Sequence, residues 1–162
     1  MEIFTNKKKT GLDYLDTPFW IDDIFYRALF GINSKIKYIP TTKPIENYDH
    51  VLINEYKPGD GCLAHTDELE FWEDWVIGVS FGSGCEMILS KGNVSKSIYL
   101  TIGSVYLLCG DARYKWTHEI SFKFDDEVNG NKINRNERIS LTFRTISNNF
   151  LSSKLKNKKY LK

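Results

Sequence analysis

The chain has 162 residues, 41% of them hydrophobic and 14% aromatic, which is enough for one domain with a buried core. Its net charge of +1 at pH 7 excludes a protein that binds nucleic acid through overall positive charge alone. No segment is long and apolar enough to span a membrane, and the lysines near the N-terminus precede no signal-peptide-like apolar segment.

The three cysteines, Cys62, Cys85 and Cys109, do not form a recognisable ligand or disulfide pattern. They lack the short spacing of zinc sites, and an odd number is a poor basis for a disulfide framework. Buried thiols are typical of a reducing compartment. We therefore expect an intracellular protein, in the cytoplasm or the nucleus.

The N-terminal part of the chain contains one predicted helix. Residues 1–16 show no periodicity and are predicted to be a flexible arm. Thr17 and Pro18 form a helix start, with Thr as N-cap and Pro at the first helical position. Helical spacing of apolar residues predicts a helix over 18–30 that packs on a sheet, with Gly31 as its C-terminal cap.

Beyond this helix the sequence has the period-2 alternation of β-strands. Many short strands separated by turn residues indicate a sandwich or barrel rather than βαβ units. The polar segment 124–136 is predicted to be a mobile loop, and residues 149–162 a lysine-rich tail. The predicted strands are 36–39, 50–56, 75–81, 85–89, 96–100, 104–109, 114–120 and 138–146.

A histidine and a carboxylate stand two residues apart after a Pro-Gly-rich turn. If this segment is extended, His65 and Asp67 point to the same face. With a second histidine they would form the two-histidine, one-carboxylate set of non-haem Fe(II) oxygenases. His118 is the favoured third ligand, although a lone histidine in a strand is usually structural. His50 is expected at a strand end near the surface and stays an alternative.

The strand beginning at Arg138 alternates strictly between apolar and polar residues. Its polar side carries Arg138, Ser140, Thr142 and Arg144. One interpretation is a surface or edge strand with a solvated face. The other is a cavity wall, which requires an anionic ligand because a buried unpaired arginine is costly. Six residues of strand span about 20 Å, so the two arginines should have different roles.

Taken together, these motifs resemble the AlkB family of Fe(II)/2-oxoglutarate dioxygenases, most closely the homologues linked to tRNA wobble-uridine modification. The order and separation of the motifs agree over residues 50–146. The matching residues are Asn54-x-Tyr56, Pro58-Gly59-x-Gly61-x-x-x-His65-x-Asp67, Gly110-x-x-Arg113-x-x-Trp116-x-His118-x-Ile120 and Arg138-x-Ser140-x-Thr142-Phe143-Arg144.

The resemblance implies a mainly β, double-stranded β-helix (jelly-roll) domain over residues 17–148. It implies Fe(II) held by His65, Asp67 and His118, with 2-oxoglutarate and O₂ as cosubstrates. It further implies a pocket for 2-oxoglutarate formed by Asn54, Tyr56, Arg138, Ser140 and Thr142. In that pocket Arg138 would pair with the distal carboxylate. Arg144 would lie nearer the metal, beside Asp67 and the reacting group.

The resemblance also implies a nucleic-acid substrate, RNA or single-stranded DNA, that is hydroxylated or demethylated. Relative to the family, the nucleotide-recognition lid is short or missing, and a protein partner could supply it. Stacking surfaces for a base could come from Phe71, Trp72, Trp75 or Tyr114, although core packing is the simpler interpretation, especially for Trp75.

Two alternatives remain on sequence grounds. The acidic residues that follow Asp67 would repel phosphates, which favours the same chemistry on a protein side chain or a small molecule. The remaining alternative is a catalytically silent jelly-roll module that only binds a partner. The oligomeric state is not predicted.

Overall fold

A computed structural model describes residues 2–5, 18–150 and 152 of the chain. The elements are β1 (Glu2–Thr5), α1 (Phe19–Lys35), β2 (His50–Tyr56), β3 (Cys62–His65), β4 (Trp75–Gly82), β5 (Cys85–Lys91), β6 (Val94–Leu100), β7 (Val105–Cys109), α2 (Gly110–Tyr114), β8 (Thr117–Ile120), β9 (Asp125–Val128), β10 (Asn131–Asn134) and β11 (Arg138–Arg144).

The strands form two antiparallel sheets and a hairpin. The larger sheet has the order β1-β2-β11-β4-β7, the smaller one the order β3-β8-β5-β6, and β9 pairs with β10. Apolar residues of both sheets, including Val76 and Leu108 of the larger and Met87 and Leu89 of the smaller, form one buried cluster. The predicted mainly β jelly-roll architecture is confirmed.

Helix α1 covers the opposite face of the larger sheet. Its buried residues Ile21, Phe25 and Leu29 pack with Ile77 and Phe143 in a second cluster. Strand β11 is therefore covered on both faces, with Leu141 and Phe143 under the helix and its polar residues turned toward the smaller sheet. The surface-strand interpretation of β11 is wrong, because this strand lies between β2 and β4 in the middle of the sheet.

Glycine at position 78 is required by a close approach across the larger sheet. Gly78 of β4 lies opposite Tyr106 of β7. A Cβ atom at position 78 would lie 2.1 Å from the Tyr106 ring, so any side chain there would displace the tyrosine.

Several predicted boundaries are corrected. Helix α1 begins at Phe19 with Pro18 as its N-cap, so Pro18 is not at the first helical position as predicted. The helix continues through Gly31 to Lys35, so this glycine is not a cap. Residues 36–39 form no strand, and 114–116 belong to the end of α2 and its exit rather than to a strand. A strand forms over Glu2–Thr5 and pairs with β2, within the predicted flexible arm. The rest of that arm, the Thr17 cap and nearly all of the predicted tail lie outside the described residues.

The segment predicted to be a mobile loop is a hairpin anchored by a buried ion pair. Arg135 donates two hydrogen bonds of 2.8 Å to the carboxylate of Asp126. Asp126 is 2% exposed and Arg135 6% exposed. Polar composition suggested a loop, but the charges pair across the hairpin and satisfy one another.

Among the described residues, no helix combines the length and the apolar character needed to cross a membrane.

Candidate active site

A cavity of about 200 Å³ lies between the two sheets. Strands β2 and β11 of the larger sheet and β3 and β8 of the smaller one contribute side chains to its wall. All the predicted site residues except Asp67 line it, namely Asn54, Tyr56, His65, His118, Arg138, Ser140, Thr142 and Arg144. The register explains this convergence, because Arg138 lies opposite Tyr56 and Ser140 opposite Asn54.

The two predicted histidine ligands are cross-strand neighbours. His65 of β3 is paired in register with His118 of β8, and their ring centroids are 4.3 Å apart. Nδ1 of His65 lies 2.8 Å from the carbonyl oxygen of Leu63, which accepts a hydrogen bond from it and leaves Nε2 with its lone pair. Burial lowers the pKa of His118 to about 4, so this imidazole is neutral near pH 7.

The carboxylate of Asp67 lies at the same end of the cavity. Asp67 is 6% exposed, and its Oδ2 atom is 3.8 Å from Nε2 of His118. Its Oδ1 atom contacts the guanidinium group of Arg144. Within the described ranges, no three histidine, cysteine or acidic side chains are gathered at the spacing of a metal site. The structure thus places His65 beside His118 and His118 beside Asp67, but it does not gather all three side chains around one point.

The donor set nevertheless fits the iron that was predicted. Two neutral imidazoles and one carboxylate are the ligands of mononuclear non-haem Fe(II). At the observed separation the His65 and His118 rings can both reach a common ion, and Asp67 adjoins His118. The fixed tautomer of His65 is the arrangement typical of a metal-binding histidine.

The opposite end of β11 carries a buried cation. Arg138 is 4% exposed and donates a hydrogen bond of 2.9 Å to the hydroxyl oxygen of Ser80. Its guanidinium carbon lies 5.2 Å from the centroid of the Tyr56 ring. In the described part of the chain, its Nε atom has no partner and no carboxylate lies at ion-pair distance. A buried cation without a counter-charge is stabilised by an anionic ligand.

The two arginines of β11 therefore have different surroundings, as their separation predicted. Arg144 contacts the carboxylate of Asp67, whereas the contacts of Arg138 among the described residues are to the neutral side chains of Ser80 and Tyr56. One end of β11 thus lies beside Asp67 and His118, and the other end presents the guanidinium group of Arg138 to the cavity.

Two residues of the site had no role in the sequence analysis. Arg113 of α2 is 2% exposed and donates hydrogen bonds of 2.8 Å to the carbonyl oxygen of Asp67 and 3.0 Å to that of Glu68. Its presence in the Gly110-to-His118 motif was the available signal. Tyr106 lines the cavity, and burial raises the pKa of its hydroxyl group to about 12, so it is a neutral hydrogen-bonding group.

His50 and the aromatic candidates also need correction. His50 is 7% exposed rather than superficial, and its ring lies 4.7 Å from that of Trp72. Trp72 also lies beneath Arg144, with 5.3 Å between the guanidinium carbon and the ring centroid. Trp75 is 4% exposed and belongs to the core. Tyr114 is 43% exposed and is the candidate most available for stacking.

The sequence matches the family model of the 2OG-Fe(II) oxygenase superfamily over residues 25–144. Among curated proteins, it is 43% identical to an uncharacterized protein of Acanthamoeba polyphaga mimivirus, over 60% of this chain and 48% of that protein. It is 31% identical to an Arabidopsis thaliana protein called an alkylated DNA repair protein ALKBH8 homolog, over 67% of this chain and 37% of the relative.

A third relative is the mouse tRNA (carboxymethyluridine(34)-5-O)-methyltransferase ALKBH8, 38% identical over 48% of this chain and 12% of the mouse protein. The chain thus spans about half or less of the length of these curated relatives.

Solved structures share the fold. The structure of OsALKBH1 superposes with a TM-score of 0.56 at 20% identity, covering 83% of this chain and 68% of that one. A 2OG-Fe(II) oxygenase family oxidoreductase from Burkholderia pseudomallei gives a TM-score of 0.52 at 14% identity, covering 85% and 63%. The family uses Fe(II), 2-oxoglutarate and O₂. The chain therefore belongs to the 2OG-Fe(II) oxygenase superfamily, and its relatives within that superfamily are of the AlkB type.

Proposed function

We propose that this oxygenase oxidises a modified nucleobase in a nucleic acid, with RNA, and tRNA in particular, favoured over DNA. The observation that carries the catalytic part of the proposal is the arrangement at one cavity. A cross-strand histidine pair and a buried aspartate meet at one end. At the other end lies a buried arginine that has no acidic partner among the residues the structure describes.

In this proposal His65, Asp67 and His118 hold Fe(II). The neutral state of His118 suits a metal ligand, because only the unprotonated nitrogen can bind. The hydrogen bond from Nδ1 of His65 to the Leu63 carbonyl keeps Nε2 available. Arg113 holds the main chain at Asp67 and Glu68 and so fixes where the carboxylate emerges from the loop.

Arg138 would bind the distal carboxylate of 2-oxoglutarate, since guanidinium and carboxylate match through two parallel hydrogen bonds. Tyr56 and Asn54 supply neutral donors on the neighbouring strand, and Ser140 and Thr142 line the wall between the two arginines. Together with Fe(II) and O₂, 2-oxoglutarate supplies the oxidation, in which its decarboxylation to succinate and CO₂ is coupled to hydroxylation of a substrate C–H bond. A hydroxylated N-methyl group would leave as formaldehyde.

The nucleic-acid part of the proposal is supported by the names of the relatives. One is named for alkylated DNA repair and another for a tRNA modification. The half-exposed Tyr114 is available to stack on an unpaired base. A partner protein could complete the nucleotide-recognition lid, and an intracellular location, in cytoplasm or nucleus, would follow from such a substrate.

The same chemistry on a protein side chain or a small molecule is the second candidate. Glu68 and Glu70, which follow Asp67 directly, are both exposed. Their negative charge beside the site would repel a phosphate backbone and is the specific observation in favour of this candidate.

Two experiments test the proposal in sequence. Succinate formation from 2-oxoglutarate with Fe(II) and no primary substrate should occur slowly in the wild type. It should be lost in His65→Ala and Arg138→Met but not in Lys96→Ala, which alters an exposed residue of β6. If both variants, His65→Ala and Arg138→Met, formed succinate as fast as the wild type, the assigned site would be wrong.

The substrate class is then tested by titrating labelled tRNA and single-stranded DNA into the metal-loaded protein at low and moderate salt. Tighter binding of tRNA, weakened by salt, is expected. Absence of nucleic-acid binding at low salt would instead favour the protein or small-molecule candidate.

A further inference from the structure

Arg144 is held between a predicted metal ligand and an aromatic ring. Its guanidinium group contacts Oδ1 of Asp67 on one side. The guanidinium carbon lies 5.3 Å from the centroid of the Trp72 ring on the other side. The Arg144 side chain is 12% exposed, and its Nε atom has no hydrogen-bond partner among the described residues. The Asp67 carboxylate and the Trp72 ring face are thus the main interactions that offset the desolvation cost of burying the Arg144 guanidinium group.

His50 supports the ring from the neighbouring strand. His50 of β2 lies opposite Arg144 of β11 in the antiparallel register, so both side chains project toward the same face of the sheet. The His50 ring is 4.7 Å from the Trp72 ring with 37° between the planes. A neutral imidazole suits this position, because a second cation beside Arg144 would repel it.

Trp72 lies in the same loop as Asp67, and that loop is fixed at several points. The amide of Trp72 donates a hydrogen bond of 3.3 Å to the carbonyl oxygen of Glu68, which also accepts from Arg113. Trp72 further forms a β-bridge with Ile146, two residues beyond Arg144. The loop that presents Asp67 therefore also carries the ring that supports the arginine facing Asp67.

We infer that Trp72 and His50 are positioning residues that act on Asp67 through Arg144. By holding the guanidinium group against Oδ1, they leave Oδ2, which is 3.8 Å from Nε2 of His118, turned toward the histidines. This inference rests on the proposed metal ligands. It assigns the partly buried Trp72 ring to the support of Arg144 rather than to stacking on a substrate base.

Mn(II) titration of the metal-free protein tests the inference without measuring turnover. Trp72→Leu removes the ring face and should weaken Mn(II) binding by about tenfold, the lower end for residues behind metal ligands. Trp72→Phe keeps a ring face and should restore most of the affinity. Phe122→Leu is the control, because it removes a largely exposed aromatic ring in the loop after β8, 63% exposed, and leaves the rings around Trp72 in place.

A double-mutant cycle separates positioning from packing. If Trp72 acts through Arg144, the Trp72→Leu effect on Mn(II) affinity should vanish in an Arg144→Met background, because coupled residues are not additive. His50→Gln, which removes the imidazole ring at similar size, should show the same dependence on Arg144 and provides the test if Trp72→Leu does not fold. Urea unfolding of each variant reports the loss of stability separately.

Two results would overturn the inference. One is a Trp72→Leu effect of equal size with and without Arg144. The other is an Mn(II) affinity of Trp72→Leu that is equal to or tighter than that of the wild type, or no weaker than that of the control Phe122→Leu. If the wild type itself failed to bind Mn(II), the proposed metal ligands would be wrong and the inference would fail with them. If the wild type binds Mn(II) but the Trp72 and His50 variants bind it equally well, the inference is overturned and the proposed metal ligands are not.

Discussion

Replacement of Arg138 by methionine should weaken the binding of 2-oxoglutarate strongly without lowering the stability of the ligand-free protein. Arg138 is 4% exposed. Its guanidinium group donates one hydrogen bond to Ser80, lies beside the Tyr56 ring and has no acid within ion-pair distance in the described part of the chain. The protein therefore bears the cost of a buried charge until an anion binds. Methionine fills a similar space without this cost.

The expected changes in affinity and in stability follow from comparing the ligand-bound with the ligand-free protein. With 2-oxoglutarate bound, Arg138→Met leaves a carboxylate buried without its partner, which costs about 3–5 kcal/mol, or about a 150-fold or greater loss of affinity. Without ligand, the variant loses a charge-assisted hydrogen bond worth about 1.5–3 kcal/mol, but it also removes a desolvation penalty of several kcal/mol. Its free energy of unfolding should match that of the wild type or exceed it by about 1 kcal/mol.

Calorimetric titration of the Mn(II)-loaded protein with 2-oxoglutarate measures the first effect, and urea unfolding of the ligand-free protein measures the second. Ser80→Ala is the matched control, since it removes only the hydrogen bond and should reduce affinity modestly. The reasoning would be refuted if the variant bound 2-oxoglutarate normally. It would also be refuted if ligand-free Arg138→Met lost more than about 2 kcal/mol, because Arg138 would then be a structural residue.

Further predictions concern ligands, pH and the hairpin. Added to the Mn(II)-loaded protein at about 100 times its dissociation constant, 2-oxoglutarate should stabilise the protein by about 2.7 kcal/mol and raise Tm by about 5–10 °C; no shift in a thermal melt would contradict the pocket. Burial lowers the pKa of His50 to about 4 against about 6.5 in the unfolded chain. Below pH 6.5 only the unfolded state gains this proton, so stability should fall between pH 6.5 and 4, by about 3 kcal/mol at most for this residue. Urea unfolding at several pH values should show that the free energy of unfolding depends less on pH in His50→Gln than in the wild type. An equal dependence on pH in the two proteins would contradict the role given to His50. Asp126→Asn leaves Arg135 buried without its partner and should cost about 3–5 kcal/mol, whereas Asp125→Asn, at a largely exposed ion pair, should cost under about 1 kcal/mol. Similar losses in the two variants would disprove the importance of burial at this hairpin.

The sequence pattern was informative wherever one periodicity persisted. The strict alternation of β11 identified which residues share a face, and the structure places Ser140 and Thr142 in the cavity wall and Leu141 and Phe143 under α1. The pattern failed where local composition was overruled by distant contacts. Residues 124–136 looked like a loop, but Asp126 and Arg135 pair across a hairpin.

The aromatic and histidine candidates show the same limit. Sequence could not tell that Trp72 would pack on both His50 and Arg144, since these residues come from a loop and two strands far apart in the chain. His50 looked like a residue near the surface, because nothing local shows that its strand becomes covered.

By itself the sequence determined the β-strand alternation, the spacing of the motifs and hence the family. These depend on neighbouring residues, whose relative directions the backbone fixes. The tertiary structure alone decided that β11 is central and that His65 lies beside His118. It also decided that Arg144 contacts Asp67, whereas the buried Arg138 faces no acid in the described part of the fold. Those facts depend on which strands pair and in what register, and register is set by contacts across the whole fold.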